Sequence, residues 1–248
     1  MRTVFDGLSL DLRAGQVVDL TGPSGSGKST LLTTLAWLNP HATARLELRG
    51  ESADSMGPQA WRRLVAYLPQ RPVLTGETVR EALLLPFDLR VARSTRGART
   101  AGSRRADAAA PTRPGDDELR ASLREAGLAD VGLEHDPQEL SVGQQARVCL
   151  LRTLLTAPEV LLADEVDAGL DAANAERVGS MLGRAAAGGM AVLRVRHHES
   201  DGRAARTLWL EGGVLREVAD SGGAVAFDGA RAGGEDMRRV TTAGEGAQ

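Results

Sequence analysis

One stretch constrains this chain more than any other: Gly22-Pro23-Ser24-Gly25-Ser26-Gly27-Lys28-Ser29. It matches the pattern G-x-x-x-x-G-K-[ST] at every fixed position. The apolar run 16–21 before it predicts a buried strand, and residues 29–38 after it carry leucines at helical spacing. A glycine loop between a strand and a helix start presents backbone N–H groups and the helix dipole to an anion. The sequence therefore predicts that residues 22–30, including Thr30, bind the phosphates of a nucleotide.

The last two residues of this pattern have predicted roles of their own. Lys28 can reach the β- and γ-phosphates, and the Ser29 hydroxyl can ligate Mg²⁺. The competing interpretation is an ordinary turn rich in Gly and Ser. The predicted strand before the loop and the predicted helix after it favour the phosphate loop instead. We therefore expect a nucleotide and Mg²⁺ as the ligands.

Composition narrows the class of protein further. The chain has 248 residues, 42% of them hydrophobic, which suits one α/β domain with a small subdomain. A formal net charge of -3 gives no indication of nucleic-acid binding. The single cysteine, Cys149, excludes an internal disulfide and fits a reducing compartment. Nowhere do eighteen apolar residues run together, so a membrane role would require a partner.

Changes in composition suggest how the chain is organised. We predict a catalytic core from residues 1–77 and 141–218, and a helical subdomain from 78–140. The segment 90–114 is rich in Ala, Arg, Gly, Ser and Thr, which predicts a disordered loop. Its arginines could contact anionic lipid or RNA, or simply be solvated. From Asp220 the chain is polar and rich in glycine, so we expect a flexible tail over 219–248.

Further motifs follow the phosphate loop in a definite order. An apolar run at 160–164 reads as a central parallel strand, and it ends in Asp164 and Glu165. With Leu140-Ser141-Val142-Gly143-Gln144, Ala168-Gly169-Leu170-Asp171, Val195-Arg196-His197 and Gln70, this constellation resembles the ATP-binding cassette (ABC) ATPases over about residues 3–217. The resemblance implies an α/β P-loop NTPase (RecA-like) core with a mostly parallel sheet, an antiparallel β part shortened at its N-terminal end, and an α-helical subdomain.

The resemblance also implies roles for these residues. Asp164 would hold Mg²⁺ with Ser29 and Gln70, while Glu165 would polarise the attacking water and His197 would contact the γ-phosphate. Ser141, Gly143 and Gln144, at a helix N-terminus, would bind the ATP of a second subunit, and Asp171 would belong to the loop between the subunits. A metal site at His197 and His198 is the competing interpretation, but no third ligand is placed nearby.

The chain departs from the family pattern at several positions. Val142 replaces a glycine of the signature, which requires a negative φ there, and Val166 stands where most relatives have proline. The resemblance begins at the family's second strand, so the aromatic residue that stacks on adenine has no expected counterpart. We expect Phe5 to be a core residue rather than its substitute.

Within the family, Arg13-Ala14-Gly15, residues 21–25, residues 78–87 and Asp164-Glu165-Val166 are most similar to the ATPase subunit of bacterial iron exporters. This implies a homodimer that docks on an integral membrane permease, on the cytoplasmic face of the cell membrane, with no nucleic acid as partner. The lipoprotein-release and macrolide-export ATPases are the nearest alternatives. Interpretations of another class are a soluble ABC ATPase without a permease and a cassette that binds nucleotide without hydrolysing it.

Overall fold

The computed structural model describes residues 3–89, 111–196 and 200–218, and the backbone of two short strands beyond them. The strands are β1 Ser9–Arg13, β2 Val17–Thr21, β3 Arg45–Leu48, β4 Glu51–Ser52, β5 Val65–Leu68, β6 Val160–Asp164, β7 Ala191–Val195, β8 Arg206–Glu211, β9 Val214–Val218, β10 Ala224–Val225 and β11 Met237–Thr241. The helices are α1 Lys28–Leu35, α2 Ala53–Met56, α3 Pro58–Leu64, α4 Val79–Asp88, α5 Asp116–Glu125, α6 Val142–Leu155 and α7 Ala172–Ala187.

These elements fall into two compact units. The first contains residues 1–71, 158–169 and 178–248, and the second contains residues 72–157 and 170–177. The phosphate loop and the strand ending in Asp164 belong to the first unit. The segment that begins at Leu140 and Ser141 belongs to the second.

A seven-stranded sheet in the order β10-β9-β8-β2-β7-β6-β5 forms the centre of the first unit. The five strands from β8 to β5 run parallel to one another. Strand β9 pairs antiparallel with β8, and β10 pairs antiparallel with β9. Strands β6 and β7 are buried at every position, which is the pattern of a central parallel strand covered on both faces. The mostly parallel sheet with helices confirms the predicted α/β class, and β8 and β9 form an antiparallel hairpin.

A smaller antiparallel sheet in the order β1-β11-β3-β4 completes the first unit. Leu10 of β1 and Leu46 of β3 both lie opposite Val240 of β11, on either side of it. The expectation of a flexible tail over 219–248 therefore differs from the structure at β10 and β11. Their backbones pair with strands made earlier in the chain, which the composition of the tail does not indicate.

The core of the first unit consists of apolar side chains from both sheets and from α1. Leu20, Leu31 and Leu162 are fully buried there, and Phe5 packs against this core as expected. Trp61 of α3 is also fully buried, and its indole N–H donates a hydrogen bond of 2.9 Å to the carbonyl of Leu35. A buried polar group with a partner avoids the cost of desolvation.

In the second unit, α4, α5 and α6 surround a separate set of buried residues that includes Leu83, Leu119 and Leu150. Helix α4 continues to Asp88 through Pro86, since a proline in the last turn removes only one helical hydrogen bond. Residues 90–110 of the predicted disordered loop lie outside the described residues.

Candidate nucleotide-binding site

The phosphate loop lies between β2 and α1, where the pattern predicts it. Gly22, Gly25 and Gly27 have φ angles of 141°, 77° and 100°, which L side chains rarely adopt. At Gly22 space is also lacking, because an added Cβ would lie 2.2 Å from the carbonyl oxygen of Leu210. Gly27 is the N-cap of α1 and supplies no side-chain hydrogen bond. The N–H groups of the first helical turn therefore remain available to an anion.

Lys28 is buried inside the loop that it terminates, with only 6% of its surface exposed. Its Nζ donates hydrogen bonds of 2.9 Å to the carbonyl oxygens of Gly22 and Pro23. Burial lowers the pKa of Lys28, while the negative charges of Glu165 and Asp164 act in the opposite direction. The ammonium group thus lies within the loop and in the field of the two carboxylates.

The parallel strands bring the other predicted residues of the core to one edge of the sheet. Leu68 of β5 pairs with Ala163 of β6, Asp164 pairs with Val195 of β7, and Val195 pairs with Leu20 of β2. Parallel strands in register have their carboxyl ends at the same edge, and ligands of open α/β sheets bind there. The residues that follow these four strands therefore meet at the phosphate loop.

Asp164 is a buried carboxylate with one bare oxygen. Its Oδ2 accepts a hydrogen bond of 3.0 Å from the hydroxyl of Tyr67, whereas its Oδ1 is buried without a partner among the described residues. Burial raises the pKa of Tyr67 to about 12, and the charge and hydrogen bond of Asp164 add to this, so the phenol remains a donor. A buried carboxylate oxygen without a hydrogen-bond donor fits a cation ligand. The sequence analysis did not identify Tyr67, whose only signal is its place on the neighbouring strand.

Glu165 leaves the strand in a left-handed conformation, with a φ of 50°. For a residue other than glycine this conformation costs about 1 kcal/mol and persists only where the surroundings hold it. Its Oε2 accepts a hydrogen bond of 2.7 Å from Nε2 of Gln70, and its carbonyl accepts one of 2.9 Å from the N–H of Ala168. The structure thus brings Gln70 and Glu165 into direct contact.

The segment that resembles the ABC signature begins helix α6 in the second unit. Ser141 is the N-cap, and its side chain and that of Gln144 form a reciprocal capping box. Val142 is the first helical residue and does not have a positive φ, so the condition for this substitution is met. Its side chain is 70% exposed. A valine at this position therefore leaves the helix terminus open to solvent.

Two contacts hold the signature segment in place. Nε2 of Gln144 donates a hydrogen bond of 2.8 Å to Oδ2 of Asp130. Gly143 lies against Asn174, so close that an added Cβ would be 2.5 Å from the Cγ of Asn174. The N–H of Asn174 donates a hydrogen bond of 2.8 Å to Oδ1 of Asp171, and this bond lowers the pKa of Asp171. Asp171 therefore caps the start of helix α7, whose residues 172–177 belong to the second unit.

The remaining predicted residues divide as follows. Ser24 and Ser29 are exposed, whereas the hydroxyl oxygen of Ser26 is buried without a hydrogen-bond partner among the described residues. The carbonyl of Thr30 accepts a hydrogen bond from the hydroxyl of Thr34. His197, together with His198, lies outside the described residues.

Sequence reasoning missed the charged residues inside apolar segments. Arg147 of α6 is buried and donates hydrogen bonds to the carbonyls of Gly143 and Gly127. Arg194 of β7 is buried and donates one of 2.6 Å to Oδ1 of Asp19 on β2. A charge within an otherwise apolar run was the available signal, because a buried charge requires a partner.

Comparison with known proteins gives a consistent result. The family model described as "ABC transporter" matches residues 5–168. The chain is 33% identical over 181 residues to the "Probable iron export ATP-binding protein FetA" of Escherichia coli K12, covering 73% of this chain and 72% of that protein. It is 33% identical over 226 residues to the "Lipoprotein-releasing system ATP-binding protein LolD" of Chromohalobacter salexigens, covering 88% and 86%. A solved "Structure of ATP binding subunit of ABC transporter" superimposes with a TM-score of 0.64 at 25% identity, covering 85% and 80%.

Proposed function

Because this chain belongs to the ABC transporter family as an ATP-binding subunit that hydrolyses ATP, we propose that two copies close around ATP and drive a membrane permease. One observation carries this function. The buried Lys28, the bare Oδ1 of Asp164 and the carboxylate of Glu165 belong to segments that converge on the carboxyl edge of a single sheet. That edge therefore combines a phosphate-binding loop with a carboxylate that can hold a cation and another that can accept a proton.

The phosphates of ATP bind in the loop of residues 22–30. Free N–H groups at the start of α1 donate hydrogen bonds to the phosphate oxygens, and the glycines leave the backbone uncovered. Lys28 exchanges the carbonyls of Gly22 and Pro23 for phosphate oxygens, which are stronger acceptors for an ammonium group. The loop is thus preorganised by the same lysine that later contacts the substrate.

Mg²⁺ fits the donor set at the same edge. The Ser29 hydroxyl, the bare Oδ1 of Asp164 and the side-chain oxygen of Gln70 would hold it, since Mg²⁺ prefers oxygen ligands. When bound, the ion offsets the charge of the phosphates. Tyr67 keeps the other oxygen of Asp164 occupied and so fixes the direction of the bare one.

Glu165 acts on the attacking water. Glu165 has a left-handed backbone, and its carboxylate contacts Gln70 whereas that of Asp164 contacts Tyr67, so the two carboxylates have different partners. Its hydrogen bond from Gln70 occupies Oε2 and orients the carboxylate. Glu165 then accepts a hydrogen bond from water and draws its proton as the water attacks the γ-phosphate. We assign His197 to the γ-phosphate as well, on the strength of the sequence pattern.

The dimer follows from the signature segment. Ser141, Gly143 and Gln144 stand at the N-terminus of α6, where helix N–H groups favour a phosphate. The exposed Val142 at this terminus fits a surface that a second copy covers. Asp171 and its neighbours then lie in the contact between the two copies.

The permease is the proposed second partner. No helix of the described residues is long and apolar enough to cross a membrane. We assign the core to residues 1–77 and 141–218 and the permease contact to the helical subdomain 78–140, near Gln70. Val73 lies three residues after Gln70 in the sequence and is 69% exposed, so its side chain is accessible to a partner. This arrangement would place the subunit on the cytoplasmic face of the cell membrane.

For the transported substrate we propose iron, with export as the direction. The support is the similarity to the FetA protein of Escherichia coli together with the motif variants of the sequence. The similarity to LolD extends over more of the chain and favours lipoprotein release as the second candidate.

Size-exclusion chromatography of Glu165→Gln with and without ATP and Mg²⁺ tests the dimer. Slowed hydrolysis should trap the closed state, so the variant should elute as a dimer with ATP and as a monomer without it. The matched control is Glu165→Gln combined with Lys28→Ala, which should stay monomeric because it cannot bind the phosphates. A Glu165→Gln protein that binds ATP and remains monomeric at saturation would overturn the proposed mechanism. The proposed permease contact is tested separately, by asking whether an integral membrane protein copurifies with this subunit.

A further inference from the structure

Six charged side chains form a neutral cluster behind the catalytic edge in the first unit. We call it the buried charge cluster: Asp19, Asp167, Arg194, Arg196, Asp201 and Arg203. Arg194 lies at its centre, with its guanidinium 2.6 Å from Oδ1 of Asp19 and 2.6 Å from Oδ1 of Asp201. Charges buried this deeply destabilise a fold unless each is paired, so the pairing must be maintained.

Arg196 occupies a different position from Arg194. Its Nη1 lies 3.2 Å from Oδ1 of Asp201, and its Nε lies 3.2 Å from Oδ2 of Asp167. Both nitrogens are buried and neither makes a hydrogen bond of good geometry with any of the described residues, so the contacts with Asp167 and Asp201 are ion pairs. Asp201 already has Arg194 and Arg203 as partners. Within the described residues, Asp167 has only Arg196 as an ion-pair partner, and Arg196 therefore connects Asp167 to the cluster.

Asp167 lies in the turn that begins at Glu165. This turn is closed by the hydrogen bond from the N–H of Ala168 to the carbonyl of Glu165, and Glu165 has a φ of 50°. Val166 occupies the second position of the turn, where a proline would preset φ. The left-handed conformation of Glu165 must therefore be held by contacts with the surrounding structure, because Val166 does not fix the turn as a proline would. The buried carboxylate of Asp167, two residues from Glu165, is where that support is attached.

We propose that Arg196 is a positioning residue for Glu165: through its ion pair with Asp167 it holds the turn 165–168 and with it the carboxylate that acts on water. This inference rests on the proposed role of Glu165 in hydrolysis. The buried charge cluster also joins three strands of the sheet, because Asp19 is on β2, Arg194 is on β7 and Asp167 follows β6.

The test is steady-state ATP hydrolysis by Asp167→Asn and Arg196→Met. Asp167→Asn is nearly isosteric and removes only the charge, so it serves even if Arg196→Met fails to fold. Misplacing a catalytic group by about 1 Å costs up to ~100-fold, so we expect kcat to fall by ~10- to 100-fold in both variants. The KM for ATP should stay within about twofold, because the phosphate loop that binds ATP is unchanged. Arg196→Lys, which retains the charge, should recover part of kcat.

Two further comparisons separate positioning from a general loss of structure. Adding Val166→Pro to Arg196→Met should restore kcat by about threefold or more, since proline restricts the turn directly. Combining Arg196→Met with Glu165→Gln should lower the residual turnover of Glu165→Gln by less than about twofold, because residues acting as a unit are non-additive. Arg203→Met is the matched control: it removes a partner of Asp201 without touching Asp167, and kcat should match that of the unmodified chain.

Three results would overturn the inference: an unchanged kcat in both single variants, a rise in KM that accounts for the whole loss, or an undiminished effect of Arg196→Met in the Glu165→Gln background. Failure of the proposed function itself would look different, because the unmodified chain would then show no ATP hydrolysis.

Discussion

Tyr67→Phe tests the cation site at a single atom. The tyrosine hydroxyl donates a hydrogen bond of 3.0 Å to Oδ2 of Asp164, and the other carboxylate oxygen is buried without a partner among the described residues. Phenylalanine keeps the ring and its packing but removes the donor. In the absence of a cation, the carboxylate of Asp164, a residue that is 3% exposed, would lose its hydrogen-bond donor at position 67.

The size of the effect follows from the charge of the acceptor. A hydrogen bond to a charged group contributes about 1.5–3 kcal/mol to stability. For a domain of this size, 1 kcal/mol shifts Tm by roughly 2–4 °C. Tyr67→Phe should therefore lower Tm by about 3–12 °C in EDTA. With saturating Mg²⁺ and ADP the loss should fall to less than about half, because the cation then compensates the charge of Asp164.

Thermal unfolding of the variant and the unmodified chain, in EDTA and with saturating Mg²⁺ and ADP, measures this difference. Thr34→Val is the matched control. Thr34 lies in the first unit, is 3% exposed like Asp164, and donates a hydrogen bond of 2.7 Å to the neutral carbonyl of Thr30. Its loss of about 1 kcal/mol should be the same in both conditions. Equal losses for Tyr67→Phe with and without Mg²⁺ and ADP would refute the assignment of Asp164 as a cation ligand.

Three other predictions concern single sites. Gly22→Ala should lower the midpoint of urea unfolding more than Gly25→Ala, because both have a positive φ but only Gly22 has a backbone carbonyl, that of Leu210, 2.2 Å from an added Cβ; equal midpoints would contradict the close approach. Burial raises the pKa of the Cys149 thiol to about 11 from 9.0. At pH 8 its reaction with a disulfide reagent should therefore be about 100-fold slower in the folded chain than in urea, and equal rates would contradict its burial. Val240→Pro should lower Tm by about 1–6 °C, the loss of one hydrogen bond worth about 0.5–1.5 kcal/mol, since proline cannot donate within a strand paired on both sides; an unchanged Tm would show that β11 does not contribute.

Much of the fold could be predicted because its signals are local. The glycine loop between a strand and a helix, and the buried strand that ends in Asp164, both appear where the local pattern predicts them. The end of α4 is less predictable, because a proline such as Pro86 is tolerated within the last turn of the helix. The strand β11 was missed because its own residues do not carry a strand pattern against a Gly-rich background. It is a strand because β1 and β3 pair with it on both sides.

The candidate site divides in the same way. Lys28 was predicted from the spacing of the glycine loop, and Asp164 and Glu165 were predicted from the end of a buried strand together with the resemblance to the ABC ATPases. Tyr67 and Arg196 were not, because their partners are distant in the chain: Tyr67 and Asp164 are 97 residues apart. No short pattern contains both members of such a pair.

The sequence by itself predicted a phosphate-binding loop at a helix start, since a glycine loop with that spacing leaves the backbone N–H groups uncovered. It also determined which carboxylates end a buried strand. The tertiary structure alone decided that Asp164 has one satisfied oxygen and one bare one, that Gln70 contacts Glu165, and that Arg196 pairs with Asp167. The physical reason is register: the pairing of parallel strands sets which side chains share an edge, and that pairing is formed between segments far apart in the chain.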